Sequence, residues 1–482
     1  MYGKLYHRGP DHQCSKSIGK CTLEFSRLSI NDTSINGSQP IEHNGKMLVC
    51  NGEIYNHLDM LTGNETSKSD CAVILPNIEK YGIYDTIDRI RGVFAFVYSD
   101  GKSIYAARDP IGVRPLFYKK NEMGIAFASE MSALDEITGT VRVFPPGHFY
   151  DSLTDEFTCY YKTFWTLNTT SGTHRIREIF EEAVRIRVEN TDREVGFFLS
   201  GGLDSSLVAT VAKKYLKPGQ IMRTFSIGTP DSPDVVAAKT MAEFLGSEHT
   251  VVPFDFKEGL KVIPDVIRSL GTYDTTTIRA GVPMWILSKW ISENTHCKVL
   301  LSGEGSDELL GGYLYFKNAP SVEEFFMENV RRLKLLHQYD VLRADRCTAA
   351  HGLEVRVPFL DRQFVECVMT MDQNLKVGGM EKKVLREAFQ GCLPDDILWR
   401  QKDAFSDAVG YSWVDEIKQY ALKEWGSDVE EFNVVNKPTT PEEMVFRNIY
   451  WDTYGHKCDH VIKEIWRPKW TTVQDPSARH LK

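Results

Sequence analysis

Two short runs of this chain have residue types and spacing suited to chemistry. In "VGFFLSGGLDSSLVATVAKKYL" an apolar strand feeds Ser200-Gly201-Gly202-Leu203-Asp204-Ser205-Ser206 and then an amphipathic helix. Gly201 and Gly202 can take backbone conformations closed to other residues and let an anion approach the main chain. Ser200, Ser205 and Ser206 offer hydroxyl donors, and the helix N-terminus adds free N–H groups and its dipole. Asp204 would repel a bare phosphate, so a cation such as Mg2+ is expected beside it. A strand-to-helix turn capped by Ser would account for Gly-Gly alone. Serines on both sides with Asp between them favour a phosphate cradle. It is neither a Walker A loop, because no Gly-Lys-Ser/Thr follows, nor a GxGxxG fingerprint.

The second run, "KVLLSGEGSDELLGGYLYF", has the same build: a buried strand, then Ser302-Gly303-Glu304-Gly305-Ser306-Asp307-Glu308. Glu304, Asp307 and Glu308 lie so close together that a metal or a cationic substrate is needed to offset their charge. Open α/β sheets bind ligands at strand carboxyl ends, where both loops fall. A third strand–loop–helix–strand unit, "MRTFSIGTPDSPDVVAAKTMAEFLGSEHTVV", reads mainly as architecture.

The elements that must position these loops belong to the second of two halves. From about Gly172, helical stretches such as "REIFEEAVRIRVEN" alternate with the buried runs "VGFFLS", "MRTFSIG", "HTVVPF" and "KVLLSG". That alternation indicates βαβ units and a parallel sheet. From Cys21 to about Tyr161 the segments "KMLVCNGEIYN", "GVFAFVYSD", "KSIYAARD", "PLFYKK" and "GIAFASE" are β-rich and broken by Gly, Asp and Pro. One helical pattern, "SDCAVILPNIEKYG", interrupts them, with Gly82 as its expected stop. Strand-rich segments with few helices suggest an α+β layered domain. The boundaries are read as 1–155, a polar linker at 156–172, and 173–482.

Bulk properties exclude several classes. The 482 residues exceed one core and suit two domains. A net charge of -9 argues against nucleic-acid binding. No apolar run reaches membrane-spanning length, and no leader pattern is present, so a cytoplasmic protein is expected. The 10 cysteines are scattered without CxxC or zinc spacing, as in a reduced compartment.

"SGGLDSS" with "LSGEGSDE" resembles the PP-loop ATP-pyrophosphatase domain of asparagine synthetases. "YDTTTIRAGVPMW", "GGYLYFKNAP", "LEVRVPFLD", "MEKKVLREAF" and "RQKDAFSDAVGYSW" follow that family in its order. "HRGPD", "RLSI", "NGEIYNH", "SDCAVIL", "RDPIGVRPLFY" and "FASEMSAL" resemble its glutaminase domain. The resemblance implies an α+β N-terminal-nucleophile (Ntn) domain of αββα layers, then an α/β doubly wound parallel-sheet domain with extra C-terminal helices. It implies that aspartate attacks the α-phosphate of ATP, giving β-aspartyl-AMP and pyrophosphate, and that ammonia then displaces AMP.

In this reading Ser200 to Ser206 hold pyrophosphate, and Asp204 and Asp307 hold Mg2+. Ile227, Ser302 and Gly303 contact the adenosine part, and Lys382 the phosphates. Thr276, Thr277 and Arg279 map to phosphate and substrate contacts, where Arg suits bidentate anion recognition. Glu304 is the candidate general base for ammonia. Lys382 would otherwise be a solvated position on a helix face. "LEVRVPFLD" reads equally well as core packing around a buried Arg356–acid pair. A homodimer is also expected.

For the glutaminase half, the resemblance assigns Arg27 to the substrate carboxylate, Asp70 to its amine, and Asn51 and Gly52 to the oxyanion hole, with Glu53 beside them. That family uses an N-terminal Cys as nucleophile. Here the chain opens Met1-Tyr2-Gly3, and only six residues precede His7. A strand and a helix would take roughly twenty. The expectation is therefore that the first elements and the Cys are missing, and that ammonia rather than glutamine supplies nitrogen as the sequence is written. A start site placed too far downstream would restore glutamine use. Cys14, Cys21, Cys50 and Cys71 lack a free α-amine and read as inert thiols. Two alternatives are a β-lactam-synthetase-like enzyme, which also lacks the Cys and uses a Tyr–Glu pair, and a silent nucleotide-binding homologue.

Overall fold

The computed structural model describes residues 3–163, 165, 167, 175–230, 232–401, 412–426 and 434–472. Met1 and Tyr2, several linker positions and all of "KDAFSDAVGY" lie outside the described residues. The chain forms two units: Met1–Phe164 with Asn190–Glu194 and Ala349–Leu353, and Trp165–Glu189 with Val195–Thr348 and Glu354–Lys482.

The largest sheet of the first unit has six strands: β1 (Ile41–His43), β2 (Lys46–Ile54), β3 (Gly92–Ser99), β4 (Ile104–Arg108), β5 (His148–Asp151) and β6 (Glu156–Cys159). They lie in the order β6-β5-β4-β3-β2-β1, with antiparallel neighbours throughout. β3 is buried along almost its whole length, because both faces are covered. Leu48, Ile54, Phe94 and Phe96 pack with Ile74 and Leu75 on one side. Met47, Ala95, Val97 and Ala106 pack with Leu23 and Phe144 on the other. β6 falls inside the stretch read as linker. The helix breaks at Gly82 as expected, where φ is 82° and ψ 167°; α1 spans Ile74–Arg89 as two helical stretches joined across that glycine.

The second unit carries a five-stranded sheet: β7 (Glu194–Phe198), β8 (Arg223–Gly228), β9 (Glu248–Pro253), β10 (Cys297–Leu301) and β11 (Glu354–Arg356). The order is β9-β8-β7-β10-β11, and the β7–β8, β8–β9 and β10–β11 pairs are parallel. The chain thus winds outward one way from β7 and then returns to its other side. This reversal leaves a crevice between the carboxyl ends of β7 and β10. Helices α2 (Ile176–Glu189), α3 (Leu203–Lys213), α4 (Pro233–Leu245), α5 (Phe256–Leu270) and α6 (Thr275–Asn294) interleave with the strands. After β10 come α7 (Ser306–Leu310), α8 (Val322–Leu335) and α9 (Asp340–Ala349). After β11 come α10 (Arg362–Thr370) and α11 (Lys383–Ala388), and later helices include Trp413–Trp425 and Pro441–Tyr454. In "LEVRVPFLD", Arg356 is fully buried and its Nε donates to Glu354 Oε1 at 2.8 Å, a core pair as expected.

Candidate active site

The loop after β7 and the loop after β10 flank that crevice and line one cavity of about 220 Å³. In the first loop Gly201 has φ +72°, and a Cβ there would lie 2.4 Å from the carbonyl carbon of Ala237 and the nitrogen of Ala238. Only glycine lets the cradle sit this close to α4. Ser200 and Ser205 fix each other: their hydroxyls are 3.0 Å apart, and Ser200 N donates to Ser205 Oγ at 3.2 Å. Ser200, Gly202, Leu203, Asp204 and Ser205 line the cavity. Gly201 and Ser206 do not. Ser206 is fully buried behind the loop, and its Oγ makes no hydrogen bond.

The two loops meet closely. A Cβ on Gly303 would stand 2.8 Å from Asp204 Cβ. Ser306 Oγ donates to Asp204 Oδ1 at 2.7 Å. Lys382 Nζ bridges Asp204 Oδ2 and Asp307 Oδ1, each at 2.6 Å. Far from being solvated, this lysine has a side chain only 2% exposed and sits in the left-handed region, φ 57°, just before α11. Gly312 makes way for it, since a Cβ there would be 2.1 Å from Lys382 Cε. Among the described residues no group of three or more His, Cys, Asp or Glu is gathered to hold a metal. Two carboxylates completed by substrate phosphates and water are nevertheless the usual surroundings of Mg2+, so the residues present fit that ion.

Glu304 also faces the cavity. Arg343 Nη2 donates to both its oxygens, at 3.0 and 2.9 Å, while Nη1 pairs with Asp340 Oδ1 at 2.7 Å. Burial lowers the Arg343 pKa, but Glu304 and Asp340 outweigh burial and hold it above its ordinary value. Tyr313 donates to Glu308 Oε1 at 2.5 Å. Burial first, then Asp340 and Asp307, push the Glu308 carboxyl well above the usual range. Sequence reasoning missed Asp340, Arg343, Tyr313 and Ser306. Asp340 and Arg343 look like an ordinary helical pair at i,i+3, and only the fold brings α9 to the cavity.

Phe198, Phe225, Ile227, Met284 and Leu287 give the cavity an apolar section, with Ser302 and Gly303 nearby. Thr276 lines the cavity, and its Oγ1 is buried without a hydrogen bond. Thr277 does not line it: its N and Oγ1 donate to Asp274 Oδ2 at 2.9 and 2.7 Å, capping α6. The expected Thr277 contact with substrate is thus replaced by a cap. Arg279 lines the cavity but already pairs with Glu442, Nε to Oε1 at 2.8 Å and Nη2 to Oε2 at 2.5 Å.

In the first unit, Asn51 and Gly52 lie on β2. Asn51 Nδ2 is buried without a hydrogen bond, as an unused donor would be. A Cβ on Gly52 would meet Val93 O at 2.2 Å. Glu53 accepts from Asn31 and Asn190 at 2.8 and 3.0 Å, and Asp70 Oδ2 accepts from Ile54 N at 2.6 Å. Arg27, expected to meet a carboxylate, donates to the carbonyls of Ser34 and Asp32, with Ser34 O at 2.6 Å. Cys50 and Cys71 are buried, and the Cys71 thiol is pushed well up by its hydrogen bond with Cys50 and by burial. That is the mark of an inert thiol.

Comparisons with known proteins follow the same division. The glutamine amidotransferase domain family model matches residues 1–165. The asparagine synthase model matches 175–331 and 327–473. A probable glutamine-hydrolyzing asparagine synthetase of Dictyostelium discoideum is 42% identical over 536 aligned positions, spanning 100% of this chain and 95% of the relative. The glutamine-hydrolyzing asparagine synthetase of Mus musculus is 39% identical, covering 99% of this chain and 94% of its own. The first such enzyme of Saccharomyces cerevisiae is 38% identical with the same coverage. Matched by both domain models and along nearly its whole length by these relatives, the chain with this two-loop cavity belongs to the asparagine synthase family.

Proposed function

We propose that this chain amidates aspartate to asparagine with ATP, releasing AMP and pyrophosphate. The observation that carries the reading is one cavity holding both the Asp204–Lys382–Asp307 cluster and the Glu304–Arg343 pair. The first suits a phosphate-leaving step and the second a proton-accepting step.

The side-chain carboxylate of aspartate attacks the α-phosphorus of ATP, and the bond to pyrophosphate breaks. Ser200, Gly202, Leu203 and Ser205 supply donors to the departing phosphates at the α3 N-terminus. Lys382 adds its positive charge there. Asp204 and Asp307 would hold Mg2+, which when bound offsets charge building on the leaving group. The apolar section, with Ile227 and the Ser302-Gly303 turn, takes the adenosine part. Ammonia then attacks the acyl carbon of β-aspartyl-AMP. Glu304, fixed by Arg343, takes the proton that the attacking nitrogen loses, and AMP departs.

The boundaries 1–155, 156–172 and 173–482 and the roles of the named residues belong to this reading. The glutamine-handling roles of Arg27, Asn51, Gly52, Glu53 and Asp70 also belong to it. A cytoplasmic setting is supported by the ten free cysteines. No helix among the described residues is long and apolar enough to cross a membrane. The expected homodimer is read by sedimentation.

The test is incubation with ATP, aspartate and 15N-ammonium. Asparagine carrying the label in its amide is the expected product; unlabelled aspartate alone would overturn the proposal. Glutamine labelled in its amide, run in parallel, reads whether the first unit supplies nitrogen.

A further inference from the structure

The C-terminal segment contributes one side chain to the cavity that the mechanism leaves unused. Trp466 is only 5% exposed, and it lines the cavity beside Thr276, Tyr313, Tyr315 and Asp340. Its ring is held on several sides. The Arg332 guanidinium lies 4.1 Å from the ring centroid. Tyr313 and Tyr315 pack edge-on, at 5.4 and 6.0 Å between centroids. Its backbone N donates to Asp274 Oδ1 at 2.6 Å. The other oxygen of that carboxylate caps α6 at Thr277, next to Thr276. One buried aspartate thus fixes both Trp466 and the start of α6.

The hydrogen bond found for Trp466 among the described residues is that of its backbone N, and Thr276 Oγ1 is buried without one. A buried hydroxyl without a partner, as at Thr276, is costly unless a ligand satisfies it, and the Trp466 indole lines the same cavity. Glu308 and Asp340, joined through Tyr313, line the same cavity. Donors and acids lining one cavity match the carboxylate and ammonium of an α-amino acid.

We propose that Trp466 is a specificity residue for the amino-acid substrate: its indole N–H donates, with the Thr276 hydroxyl, to the α-carboxylate, and its clamped ring limits the subsite to a four-carbon diacid. The inference rests on the asparagine synthetase reading and names its substrate contact. Trp466→Phe keeps an aromatic wall and removes the donor. Its KM for aspartate is expected to rise ~10-fold, the loss of one hydrogen bond to a charged group, with KM for ATP and kcat within about twofold. Trp466→His, which keeps a ring N–H, is expected to recover part of that loss. Trp466→Ala opens the wall and is expected to raise kcat/KM for glutamate relative to aspartate.

An unchanged aspartate KM in the Phe and His variants would overturn the inference. A parallel rise in the aspartate and ATP KM values with a lower thermal midpoint would also overturn it, by showing a merely structural role. Absence of pyrophosphate release by the wild-type chain would instead overturn the function itself, so the two failures are distinguishable.

Discussion

Lys382 Nζ lies 2.6 Å from Asp204 Oδ2, across 178 residues of sequence, and the same ammonium reaches Asp307. One ammonium contacts two nearly buried carboxylates. In Lys382→Met the two acids face each other without that ammonium between them. Stability at neutral pH is expected to fall by about 3 kcal/mol, read by urea unfolding, and pyrophosphate release to fall at least ~1000-fold. Wild-type stability in this variant would contradict the bridging role.

The two glycines of the cradle are expected to differ. Gly201→Ala combines a positive φ with a 2.4 Å approach to α4, whereas a Cβ on Gly202 meets only Ser200 Oγ at 3.3 Å. The first change should cost about 2–3 kcal/mol and abolish ATP binding. The second should leave the thermal midpoint nearly unchanged and raise KM for ATP only modestly. Equal effects would show that the loop is not pressed against α4.

Glu304→Gln separates the two halves of the reaction. Adenylation does not need a base, so aspartate-dependent exchange of labelled pyrophosphate into ATP should persist. Amidation should fall by roughly 100–10,000-fold, the usual worth of a positioned base. An equal loss of both activities would assign Glu304 to nucleotide binding instead.

Lys376 provides a pH prediction outside the cavity. It is fully buried, donates to Leu309 O at 3.0 Å, and burial lowers its pKa from 10.5 to about 7. The unfolded chain keeps this proton up to about 10.5 and the folded chain only to about 7, so the unfolded state binds more protons between those values. Stability therefore rises with pH across that window. The gap corresponds to about 5 kcal/mol. Lys376→Met should stabilise the protein most at pH 7 and below, and the advantage over wild type should shrink toward pH 10.5. A difference independent of pH would refute the shift.

The cradle and the acidic loop were legible in the sequence because each is local: an apolar strand, glycines and polar side chains within a few residues. The strand-rich first half and the parallel second half could be read for the same reason, from period and punctuation. What escaped was long-range. Arg343 and Asp340 reach the cavity from α9, and Trp466 from the C-terminal segment, by packing that no local pattern encodes. Thr277 was read with Thr276 as a phosphate or substrate contact from the family resemblance, whereas in the structure its N and Oγ1 cap α6. Gly82 was legible as a stop, and the helix does break there; the second helical stretch after it, with Thr86 and Ile87 buried, was not read.

The central claim is that one cavity activates aspartate with ATP and then aminates it. The most direct measurement is the yield of pyrophosphate, AMP and asparagine from ATP, aspartate and ammonium, with wild type and Asp204→Ala. The account predicts equal amounts of the three products from wild type, no pyrophosphate without aspartate, and no turnover by Asp204→Ala. ADP and inorganic phosphate in place of AMP and pyrophosphate, or no release with ammonium present, would contradict it.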